Sequence, residues 1–200
     1  MEVLVKINPV KLVGNWEEGY ALDYSAEKME YLRENIFGYP SFDIESTEIG
    51  KSLFEFKELD DISKGWEIAG VIVNFLKTEW NILDKIDGII SAPTSKNLSS
   101  DPLYKLVKMI GLKLKIPFST NFFSKLSPEE IRKLSDEEKM NILRNNIRKE
   151  KTLKNRGNIL LIDDFYNTGT TLKCVTSLLK EDINLDSIFV LTVVINKQVE

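Results

Sequence analysis

The end of the chain carries the feature that most narrows its fold. Two continuous apolar runs, Asn158 to Ile162 and Ser187 to Ile195, are separated by a turn and one helical segment, Leu172 to Lys180. Strands apolar at successive positions are covered on both faces, the habit of parallel sheets with helices on each side. Parallel neighbours need a crossover, which is right-handed in nearly all cases. Strand, helix, strand in that order therefore specifies an α/β fold on an open parallel sheet flanked by helices. Earlier segments repeat the theme. Ile62, Trp66, Ala69, Ile72, Val73, Leu76 and Trp80 fall at helical spacing, and Ile86 to Ile90 reads as a short buried strand. Asp101-Pro102 starts a further helix, because proline suits the first helical position, and Leu103, Leu106, Val107, Ile110 and Leu114 continue it. Ile116 to Phe122 reads as another strand.

The flanks differ. Residues 3–24 alternate in short stretches, with Val3, Val5 and Ile7, then Tyr20, Leu22 and Tyr24, around a Gly14-Asn15 turn. This divides the chain into a β-rich extension, residues 1–58, and an α/β core, residues 59–200. Inside the core, 15 of the 30 residues from 127 to 156 are charged. Ser127 to Glu130 and Ser135 to Glu138 fit the capping-box pattern and predict short helices. From Arg144 to Arg156 six basic residues face only Glu150; such a run is ordinarily a solvated face.

Composition limits the chemistry. The 200 residues contain no histidine and a single cysteine, Cys174. Ser-His-Asp and Cys-His catalysis, His-ligated metals, an intrachain disulfide and a Cys-based zinc site are all excluded. A formal net charge of −4 argues against a cationic nucleic-acid binder in bulk. No basic-then-apolar leader opens the sequence and no apolar run approaches the roughly 18 residues of a membrane span, so a cytoplasmic location and no membrane partner are expected.

The segment that carries chemistry is Ile159 to Thr171, Ile-Leu-Leu-Ile-Asp-Asp-Phe-Tyr-Asn-Thr-Gly-Thr-Thr. A buried strand runs straight into Asp163 and Asp164, and hydroxyls and a glycine then lead into a helix. In an open α/β sheet, ligands sit outside the carboxyl ends of the strands. Asn167, Thr168, Gly169, Thr170 and Thr171 offer backbone N–H groups at a helix N-terminus plus three hydroxyls, the composition of a phosphate cradle. Two carboxylates would repel that phosphate unless they face a polyol or a metal. A ribose 5′-phosphate meets both demands. The bland alternative is an acid pair at a strand end with threonines as ordinary cap material. A second strand end, Ile89 to Lys96, adds Thr94, Ser95 and Lys96, a small-residue turn with one ammonium. No Gly-Lys-Ser/Thr closes a Gly-rich loop after a buried strand, and no G-x-G-x-x-G follows a strand.

Ile159 to Thr171 resembles the phosphoribosyl-pyrophosphate signature of the type I phosphoribosyltransferases: apolar residues, Asp/Glu-Asp, two apolar residues, a variable position, then Thr-Gly-x-Thr. It is most similar to the ComF-like, amidophosphoribosyltransferase-like branch. Phe42 to Ile44, Ile49 to Lys57 and Glu138 to Ile147 show weaker likeness to other ComF-like segments. The core resemblance spans about residues 60–195.

The resemblance implies a type I fold with residues 1–58 as a hood and a charged lid at about 125–154. It implies transfer of a phosphoribosyl group from phosphoribosyl pyrophosphate to an unidentified nitrogen nucleophile, with release of pyrophosphate. Asp163 and Asp164 would hold the ribose hydroxyls, and Asn167, Thr168, Gly169, Thr170 and Thr171 the 5′-phosphate. Thr94, Ser95 and Lys96 would form a pyrophosphate loop, often carrying a cis peptide in this family. Lys96, with Arg144 of the lid, would face the leaving group. Mg²⁺ would bind mainly through ligand oxygens, with few direct protein ligands and Asp163 as the candidate among them. A homodimer is expected. Two further readings are a non-catalytic regulator that binds phosphoribosyl pyrophosphate or a nucleotide, and a ComF-like DNA-handling component. Three positions depart from the pattern. Asn167 stands where several base-salvage members carry an acid, and an amide is no general base. Ser46 lies where a basic residue is expected, and Glu58 replaces an aromatic. Acceptor specificity is expected from residues 1–50 and from Phe118 to Phe123. Trp16, Tyr20, Tyr24, Phe37 and Tyr39 are candidates for stacking on a base, although aromatics in short strands more often build core.

Overall fold

Gly157–Tyr166 forms the central strand of a six-stranded sheet, with Ile159, Leu160, Leu161 and Ile162 all buried. A computed structural model describes residues 5–94, 101–127 and 146–196. In chain order the strands are β1 (Val10–Lys11), β2 (Glu18–Tyr24), β3 (Ala26–Glu34), β4 (Pro40–Ser46), β5 (Gly88–Ser91), β6 (Phe118–Ser119), β7 (Phe123–Lys125), β8 (Ile147–Lys149), β9 (Gly157–Tyr166) and β10 (Leu185–Ile195). The α-helices are α1 (Glu48–Glu58), α2 (Ile62–Thr78), α3 (Pro102–Leu114) and α4 (Thr170–Lys180).

The main sheet runs β1-β2-β10-β9-β5-β6, parallel throughout except for the antiparallel edge strand β1. The α/β class and the parallel sheet flanked by helices are thus as the apolar runs dictate. The β9–α4–β10 and β5–α3–β6 connections travel along the sheet in opposite directions. Right-handed crossovers then put α4 on one face and α3, with α2 and α1 packed beside it, on the other. The core lies between these layers and includes Leu160, Leu161, Val190, Leu191 and Val193, all without exposed surface. No described helix is long and apolar enough to cross a membrane.

Local chemistry explains the helix starts. Thr47 Oγ1 accepts from the Gly50 N–H at 3.1 Å and donates to the Tyr24 carbonyl at 2.7 Å, so one hydroxyl caps α1 and ties it to the end of β2. Asp101 accepts from the Leu103 N–H at 2.9 Å, and Pro102 occupies the first turn of α3. Asn15 bridges layers: its amide donates to the Lys173 carbonyl and to Ser177 Oγ on α4.

The structure departs from the sequence pattern in several places. Residues 5–9 form no strand, whereas β2 enters the main sheet beside β10. Ile62 and Trp66 stay 48% and 41% exposed in the first turns of α2, where the Lys113 ammonium lies 5.7 Å from the Trp66 ring centre. Trp80 lies beyond the end of α2 and is buried among Tyr20, Phe75 and Phe189. The capping-box helices expected after Ser127 fall mainly on residues 128–145, outside the described ones. Ile147–Lys149, which follows, is a strand paired antiparallel with β7.

Because β9 is covered on both faces, shortening a core side chain there leaves a void that neighbours cannot fill. Leu160→Ala is expected to cost about 2–5 kcal/mol in urea unfolding; an unchanged midpoint would contradict this placement of the core.

Candidate functional site

The ladder continues past the point where the apolar run stops. Asp163 pairs with Thr192, Phe165 with Val194 and Tyr166 with Ile195, so both acids belong to β9 and not to the turn expected after Ile162. The reason is non-local: β10 supplies hydrogen bonds as far as the Asn196 N–H, which donates to the Tyr166 carbonyl at 2.8 Å. The acids are thereby fixed by a strand at the carboxyl rim of the sheet, where ligands of such folds bind.

Adjacent residues of a strand leave it toward opposite faces. Asp163 lines the hollow of the loop that follows, and Asp164 pairs with the Lys57 ammonium from the last turn of α1. Lys57 and Asp164 are both largely shielded, at 33% and 18% side-chain exposure, so this pair is less screened than a surface bridge. The Asp164 N–H also donates to Asp163 Oδ1 at 2.9 Å. Burial, reinforced by the neighbouring Asp164 charge, pushes the Asp163 carboxyl up to about 8; the Asp164 N–H and Lys57 pull it the other way. At neutral pH Asp163 therefore favours its protonated form, beside the Asp164–Lys57 pair.

The loop itself is built around Gly169. Its φ of 71° lies in the left-handed region that glycine tolerates. A Cβ there would also sit 2.4 Å from Tyr166 Oη, because that ring folds back over the turn. Asn167, Thr168 and Thr170 are exposed and Thr171 is half-buried. Thr168 Oγ1 lies 2.7 Å from Thr170 Oγ1, and no side chain caps the start of α4. The first N–H groups of a helix have no intrahelical partner. Here they face a hollow of about 90 Å³ lined by Asp163 and residues 165–172. Asn167 Oδ1 accepts from the Asn196 amide at 3.4 Å, which ties the loop to the end of β10.

The second strand end meets the first. Ser91 is in register with Ile162, and the Ala92 N–H donates to the Ile162 carbonyl at 2.8 Å, so Thr94 follows at the same rim, half-buried. Ser95, Lys96 and Arg144 lie outside the described residues. Among the described residues no peptide bond is cis. The β7–β8 pair brackets the charged segment, and Ser91 Oγ donates to the Thr120 carbonyl at 3.4 Å beside it.

Lys57 is the residue that sequence reasoning did not single out. It stands 107 positions from Asp164, and only its place in the segment Ile49 to Lys57 hinted at a link to the core. Of the aromatic candidates, Trp16 is buried and Tyr20 packs edge-on against Phe75 and Trp80, whereas Phe37 and Tyr39 are exposed on the β3–β4 hairpin. A larger cleft of about 400 Å³ opens at the same rim, lined by Lys6, Asp23, Thr47 and Glu48. Its buried Asp23 accepts the Asn8 and Tyr24 N–H groups, and burial raises that carboxyl above the usual carboxylate range.

A raised folded-state pKa on an acid means that the native state holds a proton the unfolded chain releases. Stability is therefore lost as pH rises from about 4 through about 8. Asp163→Asn is expected to flatten the fall in thermal midpoint between pH 5 and 8, and an equally steep fall in the variant would contradict the assignment. Lys57→Met should move the Asp163 titration, followed by carboxyl NMR, to higher pH; no movement would separate Lys57 from the pair. Gly169→Ala is expected to destabilise through both strain and the Tyr166 contact, by about 1 kcal/mol or more in urea unfolding, and a neutral result would contradict the loop geometry.

No protein-family model and no curated protein matches the chain. Among solved structures, it is similar to adenine phosphoribosyl transferase from Trypanosoma brucei in complex with AMP, pyrophosphate and ribose-5-phosphate, at 12% identity and a TM-score of 0.48, over 95% of this chain and 86% of that one. It is also similar to orotate phosphoribosyltransferase from Aeropyrum pernix, at 15% identity and a TM-score of 0.40, over 79% of this chain and 71% of that one. A third likeness is to UMP synthase from Leishmania donovani, at 16% identity and a TM-score of 0.40; it takes in 81% of this chain, which spans only 28% of that longer protein.

Proposed function

We propose that the chain is a phosphoribosyltransferase of the ComF-like kind, which binds phosphoribosyl pyrophosphate at the carboxyl rim of β9 and transfers the phosphoribosyl group to a nitrogen nucleophile. One observation carries the reading: Asp163 and a Lys-paired Asp164 stand directly before a glycine turn whose hydroxyls and uncapped helix start line a single small hollow with Asp163. Neutralising one acid by a proton and the other by Lys57 removes the repulsion that two free carboxylates would exert on a nearby phosphate.

In this reading residues 167–171 take the 5′-phosphate through backbone N–H groups and threonine hydroxyls, helped by the dipole of α4. Asp163 and Asp164 take the ribose hydroxyls, and a protonated Asp163 is able to donate as well as accept. Thr94, just past the end of β5 beside β9, faces the pyrophosphate, a role assigned also to Ser95 and Lys96. Reaction breaks the bond from the anomeric carbon to pyrophosphate oxygen and forms one to the nucleophile, which then gives up a proton. Lys96 and Arg144 oppose the growing negative charge on the leaving group. Asn167 cannot remove the nucleophile's proton, so another group or the departing pyrophosphate does so.

The donor set also bears on Mg²⁺. Among the described residues no group of three or more acids or other ligating side chains stands together. One protonated and one Lys-paired carboxylate suit a cation that keeps its waters and binds chiefly to phosphate oxygens, with Asp163 or Asp164 as the protein contact. When bound, such an ion supplies charge neutralisation at the leaving group. Residues 1–58 act as the hood, the segment at about 125–154 as the lid, and the protein works in the cytoplasm as a homodimer.

Calorimetric titration with phosphoribosyl pyrophosphate and Mg²⁺ is expected to show saturable binding. Asp164→Asn should weaken it by roughly tenfold or more, the scale of a lost hydrogen bond to a charged group. Absence of binding would overturn the proposal. Pyrophosphate release with a panel of bases and amines then decides the activity: binding without release from any acceptor would favour the regulator.

A further inference from the structure

Thr192 stands on β10 between Ala21 of β2 on one side and Asp163 of β9 on the other. Its side chain is fully buried, and among the described residues its hydroxyl is the one buried side-chain polar atom without a hydrogen-bond partner. The other buried hydroxyls are engaged: Thr47 with the Tyr24 carbonyl, Ser52 with Glu67, Ser91 with the Thr120 carbonyl and Thr176 with the Leu172 carbonyl. An unpaired buried hydroxyl forfeits the hydrogen bonds it makes to water in the unfolded chain. A valine matches the shape of threonine and would fill the position without that cost.

The sheet restricts what can pair with this hydroxyl. Alternate residues of a strand share a face, and partners in register stand side by side on it. On its face Thr192 therefore has Val190 and Val194 along β10, Ala21 across on β2 and Asp163 across on β9. The first three are apolar and buried. A second acid of that face, Asp23, lies diagonally on β2, and its two oxygens take the Asn8 and Tyr24 N–H groups. Asp163 is thus the lateral neighbour with a carboxyl group, and it also lines the hollow before α4.

We infer that Thr192 is a positioning residue for Asp163: its hydroxyl donates to the inner oxygen of that carboxyl when the outer oxygen engages a ribose hydroxyl. The inference rests on the sugar-phosphate reading of the β9 rim. The last torsion of an aspartate is broad, so a carboxyl held at one oxygen can still turn. A second hydrogen bond from behind sets its plane and thereby the direction of the oxygen that meets the sugar. Threonine suits this task, because branching at Cβ restricts its first torsion and holds the hydroxyl in place beforehand. The idle hydroxyl is then a loss of stability that serves binding, a conflict of the kind expected at functional sites.

Calorimetric titration with ribose 5-phosphate, run beside urea unfolding of the same samples, tests the role. Thr192→Val is expected to unfold at a midpoint equal to or above that of the wild type, yet to bind roughly tenfold more weakly, the scale of a hydrogen bond to a charged group. Thr192→Ser keeps the hydroxyl and should restore most of the affinity. Unchanged affinity in Thr192→Val would overturn the inference and leave the reading of the rim intact. A valine variant that loses midpoint and affinity together, or fails to fold, would also overturn it, as would a serine variant that binds no better than valine; each marks Thr192 as packing alone. A wild-type chain that binds no ribose 5-phosphate would overturn the reading of the rim and the role of Thr192 with it.

Discussion

The rim of this protein depends on how far β10 holds β9 in register. Were the ladder to stop at Ile162, Asp163 and Asp164 would hang on a loop and the glycine turn would have no fixed origin. Because pairing continues to Ile195 opposite Tyr166, the two acids project from a rigid strand and the turn starts from a tethered residue. Polar groups placed on strands are held more firmly than on loops.

Electrostatics then separates two chemically identical neighbours. Burial and the neighbouring acid raise the Asp163 carboxyl, and Asp164 meets Lys57. The cost of enclosing one carboxyl is met by protonation and the charge of the other by an ion pair, the two ways a folded chain tolerates such groups. α1 exists at this place because Thr47 caps it against Tyr24, so a hydroxyl at the end of β2 indirectly aims an ammonium at the end of β9.

What the sequence disclosed follows the range of the forces involved. The buried runs of β9 and β10, the helix between them and the proline-led start of α3 are local patterns, and they were readable. So was the clustering of Asp163, Asp164 and residues 167–171, since all lie within one strand-turn-helix. The extension of β9 through Tyr166 was not readable, because it depends on hydrogen bonds from residues near 195. Lys57 was hidden for the same reason: a lysine in the last turn of a helix is ordinary until the fold brings a carboxylate to it. Trp66 shows the converse error, where helical spacing suggested burial but the residue stays exposed. Phe37 and Tyr39 belong to the β3–β4 ribbon, where they stay exposed among the described residues.

The central claim is that the turn after β9 holds a sugar phosphate through its own amides. Amide NMR during titration with ribose 5-phosphate tests it most directly. The account predicts the largest shifts at Thr168, Gly169, Thr170 and Thr171, with smaller ones at Asp163 and Asp164. Shifts confined to other parts of the rim, such as the cleft at Lys6 and Asp23, would contradict it.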